Sequence, residues 1–205
     1  MIYLSGSVRP ECMANPDLGL MLTPMMGNAP DLSQTIFAID TGCFAQPEAF
    51  DLEKYMGYLR RWSGERERCL FATAPDVVGD AESTLAKSLP VLPLIRAEGY
   101  RAALVAQDGL ETMDVPWDAF DCLFVGGTTA WKLSEAAYRL VREADERGKW
   151  THMGRVNSWR RLKAAAVSGY DSADGTFLAF GPDVLMPRVR DWILTLRREP
   201  SWGSV

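Results

Sequence analysis

Residues 69–109, CLFATAPDVVGDAESTLAKSLPVLPLIRAEGYRAALVAQDG, decide the fold. CLFATA (69–74) and AALVA (102–106) are short apolar runs of the kind that forms strands buried on both faces. Between them lies a helical stretch that begins after Asp80, a good N-cap residue. Pro90 and Pro93 must sit near a helix start or at a break, because proline lacks the backbone donor a helix interior needs. Strand, crossover helix and strand together make the unit from which parallel sheets are built.

Working outward, the same unit recurs. TIFAI (35–39), CLFVG (122–126) and WTHMG (150–154) are further short apolar runs. DLEKYMGYLRRW (51–62) reads as an amphipathic helix capped by Asp51, with Leu52, Tyr55, Leu59 and Trp62 on its inner side. SEAAYRLVREADERG (134–148) has Ala137, Leu140, Val141 and Ala144 at helical spacing, Ser134 as cap and Gly148 as stop. NSWRRLKAAAVSG (157–169) repeats that pattern, capped by Asn157 or Ser158 and stopped by Gly169. A short strand near 170–174, TFLAF (176–180) and a closing helix from about 183 to 198 follow. IYL (2–4) opens the chain, and the stretch 6–33, rich in Pro, Gly, Asn and Met, reads as a long loop or lid over the mouth of the barrel. Seven to eight strands without sheet-reversal signals predict a TIM-like (β/α)8 barrel, small for that architecture and abbreviated if it has only seven strands. Residues 1–205 read as a single domain.

Composition narrows the function. The net charge of -5 argues against a protein held to nucleic acid mainly by bulk positive charge, so a nucleic-acid partner has to be argued from the site. Cys12, Cys43, Cys69 and Cys122 are widely spaced and His152 is the single histidine, a poor set for a structural zinc. Cys43, Cys69 and Cys122 lie in apolar surroundings, as buried thiols in a reducing cytoplasm would. MIYLSGSVRPE lacks the pattern of a signal peptide, and no apolar run approaches the ~18 residues of a membrane span. The expectation is a cytoplasmic protein.

Six motifs each end an apolar run: IDTGCF (39–44), APDVVGD (74–80), VAQDG (105–109), FVGGT (124–128), HMGRV (152–156) and GYDSADG (169–175). Their anchors Asp40, Asp76, Gln107, Gly126, His152 and Asp174 recur every 19 to 36 residues, about one strand plus one helix. Residues just past the ends of parallel strands emerge on one face, where α/β folds bind ligands. Read singly, each has a bland alternative: Asp-Thr-Gly is ordinary turn chemistry, Asp76 or Asp80 can cap the helix that follows, Gly-Gly is a tight turn, and a strand-end Met is often core.

In order and wording, the six motifs across residues 36–180 resemble the tRNA-guanine transglycosylase superfamily, and more closely its DNA-acting phage and bacterial relatives that insert 7-deazaguanine bases. The resemblance implies a (β/α)8 barrel that exchanges guanine through a covalent enzyme–nucleic acid intermediate. By that correspondence Asp174 is the nucleophile, and Asp40 is the general acid/base that protonates the departing purine. Asp76 is the base-reading carboxylate, a two-oxygen acceptor for two parallel donors on the guanine edge. Gln107 contacts the carbonyl edge, Gly126 and Gly127 turn a backbone N–H to the base, and Met153 packs on its flat face. Asp171, an odd number of residues before Asp174, would face the other way. His152 has no counterpart and reads as a core or supporting histidine.

Two departures from the family pattern bear on the substrate. Asp108 replaces a glycine beside Gln107. The Cys/His zinc site of the tRNA enzymes has no equivalent here, which favours DNA over tRNA; a non-catalytic nucleic-acid-binding subunit and an unrelated small-molecule barrel enzyme are the other readings of the same fold. The implied partners are DNA, guanine and a 7-deazaguanine base such as preQ0, with a protein partner or homodimer compatible with the acidic total charge and no metal or redox cofactor required. Arg155, Arg160, Arg161 and Lys163 are candidate phosphate contacts or a solvated helix face.

Overall fold

The computed structural model describes residues 1–7, 15–26, 30–42 and 50–198. Cys12, Cys43, Phe44 and parts of the 6–33 stretch lie outside them. Eight strands, all paired in parallel, close into a barrel in sequence order: β1 (Ile2–Ser5), β2 (Leu18–Leu22), β3 (Phe37–Ile39), β4 (Cys69–Thr73), β5 (Ala102–Ala106), β6 (Cys122–Val125), β7 (Trp150–Met153) and β8 (Ser172–Gly175). β8 closes on β1 with Leu4 opposite Asp174. The barrel is complete.

Strand alternation sorts the core into two parts. Leu4, Met21, Ala38, Phe71, Val105 and Phe124 fill the lumen, while their neighbours, among them Leu20, Ile39, Ala72, Leu104, Val125, Met153 and Ala173, pack outward against the helices. The helices follow from their caps and stripes. α1 (Leu52–Arg61) starts at Asp51, whose carboxylate accepts from Lys54 N, and α2 (Ala81–Ser88) starts at Asp80, which accepts from Ser83 N. Pro90 lies in the break between α2 and α3 (Leu92–Ala97), and Pro93 sits in the first turn of α3. After the short α4 (Thr129–Lys132), α5 (Glu135–Glu146) is capped by Ser134 and buries Ala137, Leu140, Val141 and Ala144. Burial of Leu140 and Val141 contributes about 1.5–3 kcal/mol each. α6 (Trp159–Val167) is capped by Ser158 rather than Asn157. TFLAF forms a 3-10 turn over Phe177–Phe180, and α7 (Pro182–Arg198) ends the described chain. Leu52, expected on the inner side of α1, is exposed, because the first turn overhangs the core and Tyr55, Met56 and Leu59 do the packing.

The 6–33 stretch is not a loop throughout. LGLML forms β2, every residue of which is buried. Gly19 disguises it: a Cβ there would lie 2.5 Å from Ile36 O and 2.7 Å from Leu4 Cδ2, so only glycine lets β2 approach its neighbours. Among the described residues, no helix is long and apolar enough to cross a membrane.

Candidate active site

A cavity of about 590 Å³ opens at the C-terminal mouth of the barrel, and the end of every strand contributes to it: Gly6, Thr23, Asp40, Asp76, Gln107, Gly126, Arg155 and Asp174 in turn. Its size suits a nucleotide-sized ligand. Met21, Met26, Val105 and Phe124 supply apolar surface, and Asn157, Arg161 and Thr176 stand at the rim beside the polar groups.

Three carboxyl groups meet there. Asp40 follows β3, immediately after a register shift against β4 between Phe37 and Ile39. Its Oδ1 accepts from Gly42 N at 2.6 Å, so it holds its own turn as well as facing the cavity. Burial, reinforced by the nearby charges of Asp76 and Asp174 and opposed by the Gly42 bond, raises its pKa to about 7. Burial also raises the pKa of Asp76, against the hydrogen bond from Gln107 and the charge of Arg155. Asp80, not Asp76, caps α2, which leaves the Asp76 carboxylate to the cavity. Gln107 Nε2 donates to Asp76 Oδ2 at 2.6 Å while its Oε1 accepts from Gly79 N at 2.9 Å, which orients the amide and leaves its second N–H for a ligand. Asp174 comes from β8, and its Oδ1 lies 3.0 Å from His152 Nε2 and 3.3 Å from Arg155 N. Asp171 lies at the opposite end of the barrel, where it accepts from Thr151 N and Oγ1.

Three expected base contacts do not form. Met153 is fully buried in the outer layer, because it alternates with the lumen-facing His152 on β7. The methionines lining the cavity are Met21 and Met26. The amides of Gly126 and Gly127 both donate to Ala106 O, at 3.0 and 3.2 Å, so neither is turned toward a ligand. Gly126 lines the cavity for a different reason: a Cβ would lie 2.7 Å from Val105 Cγ1 and 2.9 Å from Gln107 Nε2, so glycine makes room for the oriented amide. Gly127 makes room for Trp131 and for Asp108, whose carboxylate clasps Thr128 N and Oγ1 at 2.6 Å each. Asp108 thereby ties the β5 loop to the β6 loop.

Against known proteins, no protein-family model and no curated protein matches the chain. Among solved structures, it is similar to the Bacillus subtilis YkuI protein, which has an EAL domain and was solved in complex with substrate c-di-GMP and calcium. That match has a TM-score of 0.46 at 16% identity and covers 93% of this chain and 46% of the other, so the chain spans about half the length of that protein.

Two basic groups complete the site. Arg155, from HMGRV, adopts a left-handed backbone (φ 59) and sends its guanidinium to the carbonyls of Gly126 and Gly127. Arg161 Nη1 donates to Arg155 O at 3.3 Å, whereas Arg160 is exposed and lies outside the lining. Lys132 is a residue the sequence reading passed over. It is fully buried, donates to Gly154 O at 2.5 Å, and has its pKa lowered to about 8 chiefly by burial. A lone lysine in the short TAWK helix carries no motif that would have singled it out. Among the described residues, no group of three or more Cys, His, Asp or Glu side chains is arranged to hold a metal ion.

Proposed function

We propose that this chain is a base-exchange transglycosylase that replaces guanine in DNA with a 7-deazaguanine derivative such as preQ0. The observation that carries the reading is the meeting of Asp174, Asp40 and Asp76 in one cavity, with Asp40 poised near neutral pH. A group that must both give and take a proton works best with a pKa near the operating pH.

In the proposed reaction an oxygen of Asp174 attacks C1′ of the deoxyribose. The C1′–N9 bond breaks, its electron pair goes to N9, and the Asp40 carboxyl group supplies the proton that guanine carries away. The incoming deazaguanine then gives its N9 proton to the Asp40 carboxylate and attacks C1′, returning the electron pair of the ester bond to Asp174. Asp76 accepts from the guanine N1–H and exocyclic amine, and the second N–H of Gln107 meets the carbonyl oxygen. Met21 and Phe124 offer the apolar surface on which a flat ring rests. Arg161, at the rim, is the candidate phosphate contact. A base inside a duplex hides its glycosidic bond, so the substrate nucleotide is flipped out or single-stranded.

The test offers guanine-containing single-stranded DNA, duplex DNA and tRNA in turn. It follows both exchange of labelled guanine and a denaturation-resistant protein–nucleic acid adduct. The expected outcome is exchange and an adduct with DNA, both abolished by Asp174→Asn. Undiminished exchange in that variant refutes the nucleophile assignment, and exchange confined to tRNA refutes the DNA assignment.

A further inference from the structure

We infer that Trp150, Ser172 and His152 form a directed hydrogen-bond chain that fixes Asp174 with Oδ1 occupied and Oδ2 presented to the sugar. This inference rests on the transglycosylase reading for its chemical consequence, but not for its geometry.

The chain is a product of strand register. His152 on β7 pairs with Ser172 on β8, so these two side chains are neighbours facing the lumen. Trp150 precedes His152 by two residues and Asp174 follows Ser172 by two, which turns all four toward the same side of the sheet. Trp150 Nε1 lies 2.8 Å from Ser172 Oγ, Ser172 Oγ lies 2.8 Å from His152 Nδ1, and His152 Nε2 lies 3.0 Å from Asp174 Oδ1. The imidazole is fully buried between Phe71 and Phe124, with ring centroids 4.9 and 4.5 Å away, so it has no room to swing.

Counting donors gives the chain its direction. An indole N–H can only donate, so Ser172 Oγ accepts from Trp150. The Ser172 hydroxyl proton then needs an acceptor, and His152 Nδ1 is the hydrogen-bonding partner found for it among the described residues. If Nδ1 accepts, the ring proton sits on Nε2 and points at Asp174. The reverse tautomer would leave a buried hydroxyl proton without an acceptor, a cost of about 1–3 kcal/mol, and would set the bare Nε2 lone pair against the Asp174 carboxylate. The arrangement therefore selects the tautomer that carries its proton on Nε2.

The consequence falls on the two carboxylate oxygens. Asp174 Oδ1 receives both His152 Nε2–H and Arg155 N–H, which draw on its charge and hold its plane. Oδ2 receives neither donor and is the better nucleophile. His152 is thus a positioning residue.

A single histidine in the chain makes the tautomer directly observable. Protein labelled with ¹⁵N in the histidine ring should show one protonated nitrogen, Nε2, and one unprotonated nitrogen, Nδ1, at pH 7.5. Protonation of Nδ1 would overturn the directed chain whatever the enzyme does. In single-turnover assays on guanine-containing DNA, His152→Phe, which keeps the aromatic packing, should slow adduct formation about 10- to 100-fold with unchanged affinity for guanine. His152→Gln, which restores an amide donor, should recover part of that rate. Adduct formation by His152→Phe at the wild-type rate overturns the positioning role. A wild-type protein with the Nε2–H tautomer but no adduct supports the chain and refutes the transglycosylase reading, so the two failures are distinguishable.

Discussion

Asp40→Asn should make the protein more stable at pH 8 while abolishing base exchange. The folded protein raises the Asp40 pKa from 3.8 to about 7, so ionising this group costs more in the folded state than in the unfolded chain. As pH rises, the unfolded chain loses the proton first, near 3.8, and the folded protein holds it until about 7. Stability is lost across that window and stays low above it. At 1.36 kcal/mol per pKa unit, the loss attributable to Asp40 is about 2 kcal/mol at pH 5 and about 4 kcal/mol at pH 8. Asparagine cannot ionise, yet its oxygen can still accept the Gly42 N–H that holds the turn. Urea unfolding of wild type and variant at both pH values reads the effect, because the other titrating groups are common to the two and, of these, Asp76 and Asp174 are the ones whose charges act on Asp40. The variant should be the more stable at pH 8, with an advantage about 2 kcal/mol larger than at pH 5. An equal difference at the two pH values, or a variant less stable at pH 8, would refute the assignment of a buried, proton-holding carboxyl group.

Substitutions at two further positions test the scaffold. Gly19→Ala puts a Cβ 2.5 Å from Ile36 O and should destabilise the barrel by about 1–3 kcal/mol or more, read as a lowered urea midpoint; a midpoint unchanged from wild type would mean that β2 is not clamped between β1 and β3. Arg155→Gly and Arg155→Ala both remove the guanidinium that holds the Gly126 and Gly127 carbonyls, but only glycine suits φ 59. The glycine variant should therefore be the more stable by about 1 kcal/mol in thermal or urea unfolding.

The fold was legible where the chain obeys simple periods. Asp51, Asp80, Ser134 and Ser158 are local caps that need no tertiary context, and each accepts the expected backbone N–H. The stripe Ala137, Leu140, Val141 and Ala144 is one face of a helix, and all four residues are buried. β2 was illegible because Gly19 reads as turn chemistry inside LGLML, and its reason for being glycine is the close approach of Ile36 O, just before β3, and of the Leu4 side chain on β1. TFLAF follows a barrel already closed by β8 pairing with β1, and its apolar residues form a 3-10 element over Phe177–Phe180.

Motif spelling and strand parity answer different questions at the site, and parity decides which side chains can take part. GYDSADG and HMGRV lie on adjacent strands, and pairing of His152 with Ser172 sets the phase of both. Two residues on from Ser172, Asp174 must face the lumen; one residue on from His152, Met153 must face the helices. The motif comparison singled out Met153 and left His152 as a core or supporting histidine; the buried imidazole does support Asp174, and it is the methionine that lies behind the barrel wall. The glycine pair shows the same division. Its sequence signals space for a flat ligand, but both amides are spent on Ala106 O, and the space at Gly126 is filled by the amide of Gln107. Asp40, Gln107 and Asp174 reach the cavity because they share the lumen-facing parity of Ala38, Val105 and Ser172, whereas Asp76 lies three residues beyond β4, where the chain has left the strand and parity no longer applies. A shift of one residue in β8 would turn Asp174 outward and remove it from the cavity, however faithfully the motif were spelled.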